Sequence, residues 1–136
     1  MKLLRMLVIL LLLNIVCFQA VAQEINVCIN VRGKTGLENR LKDILSNEFK
    51  TYKRVLITED KEKSHLYLDC TLVEQEQIKF FALGVCIAYH IREKFYSRPT
   101  SDVAQFGEGR MKDVCHYLVR GIDKTFLEPL RHPPQE

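Results

Sequence analysis

Apolar and polar residues alternate one for one near the start of the chain. Ile25, Val27, Ile29 and Val31 fall on one side, with Asn26, Cys28 and Asn30 on the other. A period of two with one polar side predicts a strand whose first face meets a core. Arg32-Gly33-Lys34 ends it, and the period then changes. Thr35-Gly36-Leu37-Glu38 fits a capping box, in which the Glu38 carboxylate reaches back to the Thr35 amide. Leu37, Leu41, Ile44, Leu45 and Phe49 follow at helical spacing, with Glu38, Arg40, Lys42, Asp43 and Glu48 turned outward. A helix is expected from Gly36 to about Lys50. Arg54 to Thr58, carrying Val55 and Ile57, predicts a second strand. It should run parallel to the first, joined by a right-handed crossover.

The mixed charges Glu59 to Lys63 read as a solvated loop. Beyond them Leu66, Leu68, Cys70 and Leu72 alternate with Tyr67, Asp69, Thr71 and Val73 as a third strand. The polar loop Glu74 to Gln77 turns the chain into Ile78–Ile91, its longest apolar run outside the N-terminal leader. This run is too short to cross a membrane as a helix. It predicts a strand with two unequal faces. Phe81, Leu83, Val85, Ile87, Tyr89 and Ile91 should meet the helices, and Phe80, Ala82, Gly84, Cys86 and Ala88 lie opposite. Arg92 to Gly109, with Pro99, Gly107 and Gly109, reads as an irregular cover bearing Phe95, Tyr96 and Phe106. Met111, Val114, Cys115, Leu118, Val119, Ile122 and Phe126 form the apolar face of a closing helix. Pro129 is expected to end it, leaving 129–136 as a flexible tail. The order β-α-β-β-β-α predicts an α+β domain, with a four-stranded mixed sheet and two helices packed on one face.

Ahead of the domain, Lys2 and Arg5, the apolar block Leu7 to Leu13, and Ala20-Val21-Ala22 have the three regions of a cleaved secretory signal peptide. Residues 1–22 are therefore expected to be removed and the domain at 23–128 exported, to the periplasm or beyond the cell. The leader holds two of the 20 Lys and Arg and none of the 17 Asp and Glu, which leaves 18 basic against 17 acidic residues, a net +1. A near-neutral domain lacks the electrostatic footprint of a nucleic-acid or anionic-membrane binder. No integral span is expected after cleavage.

Cys17 lies in the leader, so Cys28, Cys70, Cys86 and Cys115 remain. An even number in an exported chain points to disulfides. Cys70 and Cys115 share the core side and are expected to pair. Cys28 and Cys86 share the outer side and can pair only if their strands are neighbours. Strands lie about 4.8 Å apart, and a disulfide tolerates Cα atoms only to about 7 Å. The alternative is buried free thiols acting as small apolar groups.

The chain has no C-x-x-C, G-x-S-x-G, H-E-x-x-H or paired-carboxylate motif. Cys115 and His116 are adjacent on a helix and diverge by about 100°. His90 lies about 13 Å along its strand from Cys86. His65 and His132 stand elsewhere. No catalytic residue, metal ligand or cofactor is expected. Tyr89, His90, Arg92 and Asp69 are expected to form a structural polar cluster at the edge of the sheet. The candidate interaction surface is Phe80, Ala82, Gly84 and Ala88, because an apolar strip of that length on a sheet face marks an interface unless something covers it. The same strand offers an edge for pairing with a second copy or a partner. A small-ligand cleft between segment 92–109 and the sheet is the alternative.

The succession of leader, strand, capped helix, strand, acidic loop, hairpin and helix, with Ser64 to Asp69 leading into the strand after the acidic loop, resembles small α/β domains of bacterial envelope proteins. These are the curli-secretion lipoprotein, the lipoprotein activators of peptidoglycan synthases, and the N-terminal domain of the Tol-system propeller protein. The leader departs from the lipoprotein pattern, with Ile15 and Val16 before Cys17. The resemblance covers the mature chain as architecture. It implies a non-enzymatic interaction domain of the envelope that binds a protein partner or itself.

Overall fold

The apolar sides of five strands share one surface, and the rest of the fold follows from covering it. A computed structural model describes residues 24–91 and 94–132, with side chains described outside 90–103. The leader and the last four residues therefore lie outside the described residues, as do the side chains of His90, Phe95 and Tyr96.

The sheet runs β2-β1-β3-β4-β5, with β1 at Ile25–Gly33, β2 at Val55–Thr58, β3 at Leu66–Gln75, β4 at Phe80–Ile91 and β5 at Lys94–Phe106. β1 pairs in parallel with both β2 and β3, while β3, β4 and β5 pair antiparallel. The α+β class and the mixed sheet agree with the pattern, but there are five strands rather than four. The addition is β5, which occupies the segment expected to be an irregular cover. Its alternation is broken because the ladder slips between Leu83 and Val85. Pro99 also removes a donor, which is tolerated on an edge strand.

The first helix, α1 (Glu38–Lys50), buries Leu41, Leu45 and Phe49. It begins two residues later than expected. The Thr35 hydroxyl accepts from the Leu37 amide at 3.1 Å, and the Glu38 carboxylate accepts from the Thr35 amide at 2.7 Å. The second, α2 (Met111–Ile122), buries Met111, Cys115, Val119 and Ile122. Pro129 does not end it. A π turn at Asp123–Leu127 leads into a short helix, α3 (Glu128–Arg131), with the proline in its first turn, where no amide donor is needed. The wider turn adds one residue per revolution, so Leu127 rather than Phe126 follows Ile122 into the core. The first part of the expected tail is thus helical.

The core joins these helical residues to Ile25, Val27 and Ile29 of β1, Leu66 to Leu72 of β3, and Phe81 to Ile87 of β4. Phe106 also enters it, 6.1 Å from the Phe81 ring. It does not cover the opposite face. The β3–β4 loop has four residues, as expected, but is displaced by two: Gln75 pairs with Phe80, and Lys79 takes a positive φ of 50° to close the turn. No helix among the described residues is long and apolar enough to cross a membrane.

Candidate functional site

The surface singled out by the sequence is the sheet face opposite the helices, and the structure divides it into three zones. The first is covered by the chain itself. From β2 the chain returns past β1 to reach β3, through 59–65. A right-handed return in that direction requires the face away from α1. Contacts place it there. Asn26 donates through its side chain to the Lys63 carbonyl at 3.4 Å, and its amide donates to His65 Nδ1 at 3.0 Å. Lys61 Nζ stands 4.5 Å from the centroid of the Tyr67 ring, in a cation–π contact. Cys28 is buried under this crossover rather than in the main core. Burial, followed by the nearby Glu59 carboxylate, raises its thiol pKa.

The second zone is a polar network on β1 and β3. Asn30 and Asp69 are register partners. Asp69 accepts from the Asn30 side chain at 2.9 Å and from Arg32 through both carboxylate oxygens, at 3.1 and 2.6 Å. The two-pronged guanidinium contact fixes this carboxylate geometrically. Asp69 therefore serves neighbours on β1 and not the expected cluster with Tyr89. Tyr89 turns to the other face, where its ring lies 5.4 Å from Phe126. The remaining members, His90 and Arg92, lie outside the described side chains.

The third zone is the open end of the strip, at the β3–β4 turn. Val73 and Ala82 are register partners on this face. Val73 is 55% exposed and Phe80 44%, and Ile78 in the adjoining turn is 56% exposed. Of the four surface residues expected from the sequence, Phe80, Ala82 and Gly84 are open or half-open. Ala88 is not: it is only 7% exposed, and its register partner Tyr67 stands on the same face. Val73 and Ile78 belong to the patch and were missed. Val73 follows from the period-two alternation of β3, whereas the continuous apolar run from Ile78 predicts that residue in the strand rather than in the turn.

Two further expectations are corrected. β4 is not an edge, because β3 and β5 occupy both of its sides. Segment 94–106 hydrogen-bonds alongside β4, in the plane of the sheet, so it cannot wall a cleft against a sheet face.

The cysteines separate cleanly. Among the described residues, Cys28, Cys70, Cys86 and Cys115 are all free thiols. β3 lies between β1 and β4, and Cys28 is in register with Tyr67, which pairs with Ala88 rather than Cys86. Two strand spacings, about 10 Å, exceed the reach of a disulfide. The Cys28–Cys86 pairing is therefore excluded by strand order. Cys70 and Cys115 both belong to the helix–sheet core, each as a free thiol. Burial pushes both thiols up to about 12, and each lies within a wholly buried environment.

At the carboxyl ends of β1 and β3, the amino end of α1 could attract an anion. Its own Glu38 occupies that place. Backbone hydrogen bonds from Thr35 hold this carboxyl below the usual range. Among the described residues, no three His, Cys, Asp or Glu side chains converge in a way that could hold a metal ion.

No protein-family model and no curated protein matches the chain. Among solved structures, an uncharacterised protein is similar with a TM-score of 0.46 and 8% identity, covering 79% of this chain and 93% of its own. The PelC dodecamer from Paraburkholderia phytofirmans is similar with a TM-score of 0.43 and 8% identity, covering 83% of this chain and 90% of its own.

Proposed function

We propose that this is an exported, non-enzymatic interaction domain of the cell envelope, which binds a protein partner or a second copy of itself through the open end of its outer sheet face. One observation carries the reading: Val73, Phe80 and Ile78, all large and apolar, stand exposed together at the β3–β4 turn beside Ala82. Burying such a group on a partner removes apolar surface from water at about 25 cal/mol per Å². Isolated exposed apolar residues need no explanation, but a contiguous group beside a flat run of Ala82 and Gly84 does. The leader supports export. In an oxidising compartment, Cys70 and Cys115 then join as a core disulfide.

The test is to replace Ala82 with Lys and Phe80 with Glu in the mature protein. Sedimentation and crosslinking in envelope extracts are then compared with the parent. Loss of a dimer, or of one crosslinked partner, is expected at unchanged thermal stability. If the parent sediments as a monomer and its crosslinked species survive both substitutions, the reading fails.

A further inference from the structure

A second feature lies at another pole of the molecule. The turn after α1, from Thr51 to Arg54, and the chain at the end of α3, Arg131 and His132, surround a concavity of about 490 Å³. That is a small-ligand volume. Tyr52 is half-buried in its wall, and the Arg131 guanidinium lies 5.8 Å from the Tyr52 ring centroid. Arg131 is held in place by Asp123 at 2.5 Å, with both side chains only 14% exposed. Lys53 and Arg54 are exposed at the rim, and neither enters an ion pair among the described residues.

Arg54 has a φ of 63°. A left-handed backbone costs a non-glycine residue about 1–2 kcal/mol. The backbone role of this position, accepting from the Ile25 amide at 2.7 Å, needs no side chain. Glycine would serve it with less strain, yet the position carries a guanidinium. The end of α1 contributes about half a negative charge here. Its Glu48 and Phe49 carbonyls are already taken by the Thr51 and Tyr52 amides. Around Tyr52 the cations Lys53, Arg54, Arg120 and Arg131 face the two carboxylates Glu48 and Asp123, which leaves a positive surplus. The lining side chains offer mainly donors, and such a set selects a ligand rich in acceptor oxygens.

We propose that this concavity is an oxyanion site for a phosphate group, with Arg54 and Lys53 contacting the oxygens and Arg131 fixed beside them. The group has two sources, a soluble phosphoester or an anionic lipid headgroup. The site is separate from the outer sheet face and does not depend on the interaction reading.

The mature protein is titrated at low salt with pyrophosphate, with citrate as a carboxylate control, and separately with phosphatidylglycerol vesicles. Amide resonances of Thr51 to Arg54 and His132 report binding. Saturable pyrophosphate shifts confined to these residues, weakened about tenfold by R54G and by K53Q, support a soluble phosphoester. Binding only to vesicles, weakened by the same changes, supports a lipid headgroup. R54G relieves strain and should fold at least as well as the parent, and K53Q alters an exposed side chain that makes no ion pair among the described residues. No saturable shift with either probe, equal binding of citrate, or binding unchanged in both variants overturns the proposal.

Discussion

Glu38 packs so closely against Gly33 that a Cβ added to the glycine would stand 2.5 Å from Oε1 of Glu38 and 2.5 Å from the carbonyl oxygen of Leu72. The carboxylate can swing away, but the backbone carbonyl belongs to the sheet and cannot. Gly33→Ala should therefore destabilise the domain by roughly 1–3 kcal/mol, the usual range for forced overpacking. Denaturant unfolding measures this, and a parental midpoint would show that the end of β1 yields freely.

The same carboxylate makes stability depend on pH. Its pKa is lowered by hydrogen bonds from the Thr35 backbone. A carboxyl whose folded value is depressed stabilises fully above its unfolded value, about 4.3, and loses that contribution as pH falls through the folded value. Glu38→Gln should thus melt lower than the parent at pH 7, with the gap closing below pH 4. A gap that stays constant across this range would contradict the cap.

Thiol reactivity should follow burial. Cys86 is half-exposed on the outer face, whereas Cys28, Cys70 and Cys115 are buried. With Cys70 and Cys115 pushed up to about 12, almost no thiolate is present at neutral pH. Reduced native protein should be alkylated first at Cys86, and at Cys70 and Cys115 only after unfolding. Protein recovered from the exported compartment should lose two alkylatable thiols, both mapping to Cys70 and Cys115. Four free thiols there would defeat the core disulfide.

The two faces of the sheet predict opposite outcomes for similar chemistry. Phe49 is wholly buried between α1 and the sheet, while Phe80 is 44% exposed. Phe49→Ala should cost about 3–5 kcal/mol. Phe80→Ser should change monomer stability by under about 1 kcal/mol. Comparable losses at the two sites would mean that the outer face is covered.

Ala82 and Ala88 sharpen that contrast within one strand. Ala88 is 7% exposed beside Tyr67, while Ala82 is half-open opposite Val73. Ala88→Lys should lower the melting temperature clearly, and Ala82→Lys should leave it near the parent. Circular dichroism melts distinguish the two, and equal effects would remove the division of the strip.

Much of this architecture is legible in the sequence. Alternation placed Leu66, Leu68, Cys70 and Leu72 on the buried side, and the structure leaves each at most 1% exposed. Helical spacing found Leu41, Leu45 and Phe49, and the Thr35–Glu38 signature located the start of α1 to within two residues. These signals are local, because the chemistry that sets them acts over a few residues. The candidate surface was half legible: parity identified Phe80 and Ala82 but could not separate them from Ala88.

Strand order, by contrast, is a property of partners far apart in the chain. β3 inserts between β1 and β4 because the short 59–65 connection returns across the outer face. That single crossover buries Cys28, separates it from Cys86 and brings Lys61 over Tyr67. β5 escaped the pattern because its register slips opposite Gly84 and its proline obscures the alternation. The π turn that carries Leu127 inward has no sequence period of its own. Periodicity assigned each side chain to a face, and packing alone decided which parts of each face stayed open to solvent.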